Sequence, residues 1–148
     1  MELLIKAPGA LIAMFGAILF FLAALGTGAW KYFSIRTSPT AEAPYYVNIA
    51  HRAALMYSFA ALLLAVLAAL SAFPDAVNVI AVLLPLVYFA LAIGRYIQLG
   101  IENKTDNQHR NPPSPRGELA LLLSLMVAEM GGFLLLAAGF TYRVMLMI

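Results

Sequence analysis

The sequence predicts an all-α integral membrane protein, a single domain built as an antiparallel bundle of four bilayer-spanning helices. Three observations carry this. Of 148 residues, 64% are hydrophobic and only 11% are charged, too few polar side chains to cover a water-exposed surface around one core. Four apolar runs, at residues 8–30, 48–70, 77–100 and 118–141, each reach the roughly 20 residues that cross ~30 Å of hydrocarbon. The basic residues gather in the segments on one side of these runs, as they do in membrane proteins of fixed orientation.

The first run opens on Pro8, which suits the first turn of a helix because its missing N–H has no partner there anyway. It exceeds the apolar core of a secretory signal, and no small-residue cleavage pattern follows it, so it is expected to be a mature helix. Between the second and third runs stand only Ser71-Ala72-Phe73-Pro74-Asp75-Ala76, enough for a tight reversal between neighbouring helices. The segments at 31–47, with Pro39 and Pro44, and at 101–117, rich in Asn, Pro and charge, are longer loops and the better place for function. No internal repeat suggests a transporter made of inverted halves.

Lys6 and Arg143 fall on one side, whereas Lys31, Arg36, Arg52, Arg95, Lys104, Arg110 and Arg116 fall on the other. The positive-inside rule then puts both long loops in the cytoplasm and both termini outside it, in the cell inner membrane. Trp30, Tyr32, Tyr45 and Tyr46 are expected to form an aromatic belt at the cytoplasmic interface. The formal net charge is only +2, without a periodic basic face, which speaks against nucleic acid as a partner. With no cysteine, disulfides, thiolate metal sites and a cysteine nucleophile are excluded.

Ionisable groups at membrane depth need a partner or a purpose. His51, Arg52 and Tyr57 lie on the second run, Arg95 and Tyr96 on the third, and Glu129 midway along the fourth. At ~1.5 Å per residue His51 and Arg95 sit about 5–8 Å inside the cytoplasmic boundary, and Tyr57 and Glu129 about 15 Å down, so one cavity open to the cytoplasm can hold them all. Each also has a plain reading. Arg52 and Arg95 can snorkel to the interface, Tyr96 can be an interfacial aromatic, and His51 can bond a neighbouring helix. His109, in a polar loop, is expected to be solvated. Glu129 must be protonated, paired or wet, and the Gly131-Gly132 pair beside it allows a close helix approach that it can clasp. At about 100° per residue Leu55 and Ser58 share the His51 face, whereas Tyr57 points away from it, so a subunit interface is one way for both to be used.

The second span opens Ala50-His51-Arg52-Ala53-Ala54-Leu55-Met56-Tyr57-Ser58, the third ends near Gly94-Arg95-Tyr96, and the fourth begins Gly117-Glu118. In these residues and in its layout the chain resembles the small four-helix membrane proteins that include styrene oxide isomerase and hydroxylaminobenzene mutase. The resemblance implies a homotrimer that takes a small hydrophobic substrate. It makes His51 the axial iron ligand of a haem b held between subunits, with Arg52 beside it, and puts Tyr96 in the active site, where Tyr57, Arg95 and Glu129 join the catalytic candidates. The implied reaction converts an epoxide to an aldehyde, or rearranges an aryl hydroxylamine, with iron as a Lewis acid. The chain departs from the family where Tyr57-Ser58 replaces Asn-Gly and Arg95 replaces Phe, and Glu129 has no family counterpart.

Two other readings compete. The four-helix enzymes of eicosanoid and glutathione metabolism show a similar Arg95-Tyr96 and His51-Arg52, but their Asn and Glu are replaced by Ala54, Leu55 and Met56. A non-catalytic haem or assembly subunit would need a second axial ligand, for which the spans offer only a methionine such as Met56 or Met126. A proton or ion channel would rest on Glu129 alone.

Overall fold

The structure, a computed structural model, describes residues 6–110 and 114–148; Asn111, Pro112 and Pro113 of the second long loop lie outside them. Four helices make up the fold: α1 (Pro8–Thr37), α2 (Tyr45–Leu70), α3 (Asp75–Glu102) and α4 (Pro115–Met145). All four are long and apolar enough to cross a bilayer. Large apolar side chains such as Phe15, Met56, Leu91 and Val127 stand exposed on every helix, as in helices solvated by lipid, and the chain is a multi-pass membrane protein.

Proline sets the helix boundaries. Pro8 and Pro115 occupy first turns, while Pro44 and Pro74 immediately precede α2 and α3. Ser114 also caps α4, its Oγ accepting from the Gly117 N–H at 3.2 Å. The helices run past the apolar runs that mark them. Instead of looping from Lys31, α1 continues to Thr37, because nothing breaks its hydrogen bonding until Ser38 turns extended before Pro39. Helix α3 likewise runs to Glu102 and ends where Asn103 takes a left-handed conformation, its N–H returning to the Leu99 carbonyl at 2.9 Å.

Helices α2 and α3 are the central pair. Helix α1 packs along one side of the pair and α4 along the other, with no direct packing between α1 and α4 among the described residues. The α1 side is closed by small side chains: Ala10, Ala13 and Ala24 meet Ala54, Ala61 and Ala65, all buried in the core. With lipid as apolar as the interior, association comes from close packing, which small residues permit.

The α4 side is closed only in part. Pro85, inside α3, cannot donate to the carbonyl of Ala81 one turn earlier. Gly132 of α4 rests on that carbonyl; a Cβ there would overlap its oxygen and lie 2.7 Å from the Pro85 ring. Further along, the Ala72 N–H donates to the Gly139 carbonyl at 3.0 Å, and Arg143 Nη2 to the Ser71 carbonyl at 3.0 Å. Arg143 is therefore a tertiary hydrogen-bond donor as well as a topological charge. Of the Gly131-Gly132 pair, only Gly132 makes a close approach, since Gly131 faces open space. Nearer the long loops α4 stands off: its first buried residue is Ala128, and residues 115–127 contain none.

The two long loops meet at one end of the bundle. The backbone N–H of Gln108 donates to the Tyr46 hydroxyl at 2.6 Å, and Gly100 packs against Trp30 and Val47. Tyr46 is buried beneath the loop, and Trp30 turns inward to α3, so neither joins Tyr32 and Tyr45 on the exposed surface.

Candidate functional site

His51 lies on the α1 side of α2. Its Nδ1 is 2.9 Å from the carbonyl oxygen of Ala24 in α1, and a carbonyl only accepts, so Nδ1 carries the proton. In the neutral ring Nε2 then holds a free lone pair. Gly28 makes room for the ring: a Cβ there would stand 2.9 Å from His51 Cε1. Thr27 Oγ1 donates to the Ala23 and Ala24 carbonyls at 2.7 and 3.1 Å, so the Ala24 oxygen accepts from both Thr27 and His51. Ser58, one of the residues sharing the His51 face, is buried and donates to the Leu55 carbonyl at 2.6 Å. Arg52 is exposed beside this site.

A second polar group forms well round α2 from His51, in the seam between α2 and α3. Tyr57 stacks on Phe89 of α3 with ring centroids 4.2 Å apart and planes 9° from parallel, and Phe89 in turn meets Phe20 of α1 edge-on at 6.4 Å. Tyr96 stacks on Tyr46 of α2 at 6.1 Å. Glu129 of α4 completes the group, close enough that Tyr57, Tyr96 and Glu129 interact electrostatically with one another. Glu129 Oε1 is buried and has no hydrogen-bond partner among the described residues. One turn and more above it, Tyr88 of α3 donates to Ser124 of α4 at 2.8 Å, fixing how far α4 stands away.

The single cavity expected to gather all these residues is thus divided within one subunit. His51 faces α1; Tyr57 and Tyr96 lie in the α2–α3 seam, and Glu129 is on α4. The reason is the α2 periodicity, which puts Tyr57 well round the helix from His51. Arg95 joins neither group: it is exposed and donates to Gln98 Oε1 at 3.0 Å, and Gln98 donates to Glu102 Oε1 at 2.8 Å, along the outer face of α3. This arrangement is that of a snorkelling anchor. His109 is exposed, as expected of a polar loop, and its Nδ1 pairs with Glu118 at the base of α4.

Sequence reasoning passed over Ala24 and Gly28, which form the seat for His51. Their spacing of one helical turn on α1, both small, is the mark of a close helix approach and would have pointed to them. It also missed Phe89 and Tyr46, the rings that hold Tyr57 and Tyr96; stacking across helices leaves no trace in spacing along one. A solvent-facing cavity of about 360 Å³ between Tyr45 and the residues that follow α3 is lined by Lys104, Asp106 and Arg110, the last two 3.9 Å apart, so its charges are mixed.

Among the described residues no three His, Cys, Asp or Glu side chains converge as ligands of a metal ion. A bare ion bound by protein alone takes three or four such ligands. Haem brings four nitrogens of its own and asks the protein for as little as one, so this bears on a bare ion and not on haem. No known protein family, curated protein or solved structure matches the chain.

Proposed function

We propose that this protein is a membrane-embedded haem b isomerase, in which His51 is the axial ligand and the substrate is a small hydrophobic epoxide or aryl hydroxylamine. The observation that supports it is the asymmetric state of the His51 ring. Nδ1–H bonded to the Ala24 carbonyl orients the imidazole, fixes its tautomer and raises the basicity of Nε2. Such second-sphere bonds accompany metal-ligating histidines almost without exception. When bound, haem would supply an iron able to act as a Lewis acid on a substrate oxygen, chemistry that needs no electron partner.

The chain's own part is to bind, orient and exclude water. Ala24 and Gly28 hold the ring of His51, Arg52 offers its guanidinium to a haem carboxylate, and the exposed apolar side chains of α1 and α2 keep water from the reacting face. His51 is half-buried in one subunit. A second copy covers what α1 leaves exposed of it, and a contact between unlike faces whose rotation closes makes a ring, such as the homotrimer that the family resemblance implies. Tyr57, Tyr96 and Glu129 take no part at the His51 of their own subunit. The seven basic residues at the long-loop end orient the antiparallel bundle with that end in the cytoplasm.

An absorption spectrum tests the reading. Protein made with adequate haem supply is expected to show a Soret band, lost in His51→Ala while helicity is retained. Colourless wild-type protein would sink the proposal. Shifts of the band on adding substrate distinguish an open axial position from the six-coordinate iron of an electron carrier.

A further inference from the structure

Where α3 ends and α2 begins, the chain encloses a cavity of about 360 Å³ lined by Tyr45, Asn103, Lys104, Thr105, Asp106 and Arg110. That is the small end of the ~300–1,000 Å³ range of ligand sites, a size for a headgroup or a small polar ion. Its walls are fixed by hydrogen bonds within the loop and to the bundle. The Asn103 N–H returns to Leu99, Thr105 Oγ1 accepts the Asn107 N–H at 3.0 Å, the Arg110 N–H reaches the Asn107 carbonyl at 3.2 Å, and Gln108 is tied to Tyr46. Its polar groups, by contrast, are mostly unengaged. Lys104 and the Tyr45 hydroxyl have no partner among the described residues, and Arg110 meets Asp106 only at 3.9 Å, beyond hydrogen-bond reach. Tyr45 opens one spanning helix and Asn103 caps another, which puts the cavity at the level of lipid headgroups; Ile101, just before it, is an apolar side chain left 70% exposed.

We propose that this cavity binds the headgroup of phosphatidylethanolamine, its phosphate held by Lys104, Arg110 and Tyr45 and its ammonium by Asp106. The cavity carries two cations and one carboxylate, so a purely anionic ligand is repelled by Asp106. A phosphate with an ammonium on a two-carbon link answers both signs. The link is short enough for its two ends to reach side chains whose charged atoms lie 3.9 Å apart. Lys104 and Arg110 only donate and suit phosphate oxygens, whereas the Asp106 carboxylate only accepts and suits N–H donors. Choline has no N–H, which separates ethanolamine from it. The lipid is favoured over the free headgroup because exposed charges bind weakly by themselves, and Ile101 and the exposed Tyr45 ring give apolar surface to the attached chains. The site shares no residue with that of His51 and does not rest on haem being bound there.

Native mass spectrometry of the full chain, released from micelles carrying one lipid at a time, reads the apparent affinity for the first lipid bound. Phosphatidylethanolamine is expected to bind about five-fold tighter than phosphatidylcholine or phosphatidylglycerol with the same acyl chains. Asp106→Asn is expected to erase the advantage over phosphatidylcholine and to put phosphatidylglycerol first. The Lys104→Gln/Arg110→Gln double variant is expected to weaken phosphatidylethanolamine binding about ten-fold. Arg36→Gln, which removes a cation at the same end but outside the cavity, should leave it unchanged. These positions are all exposed, so the variants keep the fold. Equal binding of the three lipids, a preference untouched by Asp106→Asn, or the same loss in Arg36→Gln as in the double variant would overturn the proposal. Tightest binding of phosphatidylglycerol by the unaltered chain would overturn the ethanolamine assignment. Soluble glycerophosphoethanolamine binding as tightly as the lipid would overturn the lipid as the source of the headgroup.

Discussion

His51 is held at one ring nitrogen and has no hydrogen-bond partner at the other among the described residues, and that state depends on a residue without a side chain. Gly28 leaves the space in which the imidazole lies. Gly28→Leu is therefore expected to push the ring off the Ala24 carbonyl and to reduce the Soret absorbance several-fold with helicity unchanged. Gly26, two residues earlier, has nothing within 4 Å of its would-be Cβ, so Gly26→Leu should leave the spectrum as it is. Equal spectra for the two variants would remove Gly28 from the account. At this scale the sequence exposed the chemistry-bearing residue types, because charge and polarity stand out against 64% hydrophobic side chains. It did not expose their partners. A backbone carbonyl such as that of Ala24 has no identity to read, and the face of α1 that meets His51 is set by how two helices pack.

Between elements, the α3–α4 contact turns on one proline and one glycine. Pro85 frees the Ala81 carbonyl, and Gly132 is the residue that can lie against it, within reach of a weak Cα–H···O contact. Gly132→Val is expected to cost roughly 1–3 kcal/mol by overpacking, whereas Gly131→Val, into open space, should change stability by less than about 0.5 kcal/mol. Denaturant titration of both variants in mixed micelles checks the pair; similar losses would show that helix propensity, and not this contact, is being measured. Two adjacent glycines look alike in the sequence. Only the rotation of α4 about its axis tells which one faces α3. The helix ends were more legible, since Pro8, Pro44, Pro74 and Ser114 act through local sterics and hydrogen bonds. The extension of α1 to Thr37 was not, because interfacial residues continue a helix when no proline or cap stops them.

Across the whole molecule, α2 and α3 separate a tightly packed side, shared with α1, from one shared with α4 that opens toward the long loops. This division gives the bundle two unlike faces, which is the condition for a ring of head-to-tail copies. Orientation is open to a clean test because the chain has no cysteine. Asn107→Cys is expected to react with a membrane-impermeant maleimide only from the cytoplasmic side, and Asp75→Cys only from the other. The reverse pattern would overturn the reading from basic residues. Tyr46 links this scale to the ring stacks between α2 and α3: its hydroxyl receives the Gln108 N–H and its ring carries Tyr96, so the second long loop rests directly on the polar group.

The sequence by itself determined that lipid is the solvent, how many helices cross it and where prolines begin them, because these follow from composition, run length and local sterics. It also named the polar residues at depth. The tertiary structure alone decided their grouping. His51 was drawn to α1, Tyr57 and Tyr96 to the seam between α2 and α3, and Arg95 to neither. Helix rotation and the standoff of α4 fix those choices, and both arise from small-residue packing between helices, a property of pairs of surfaces and not of any one stretch of chain.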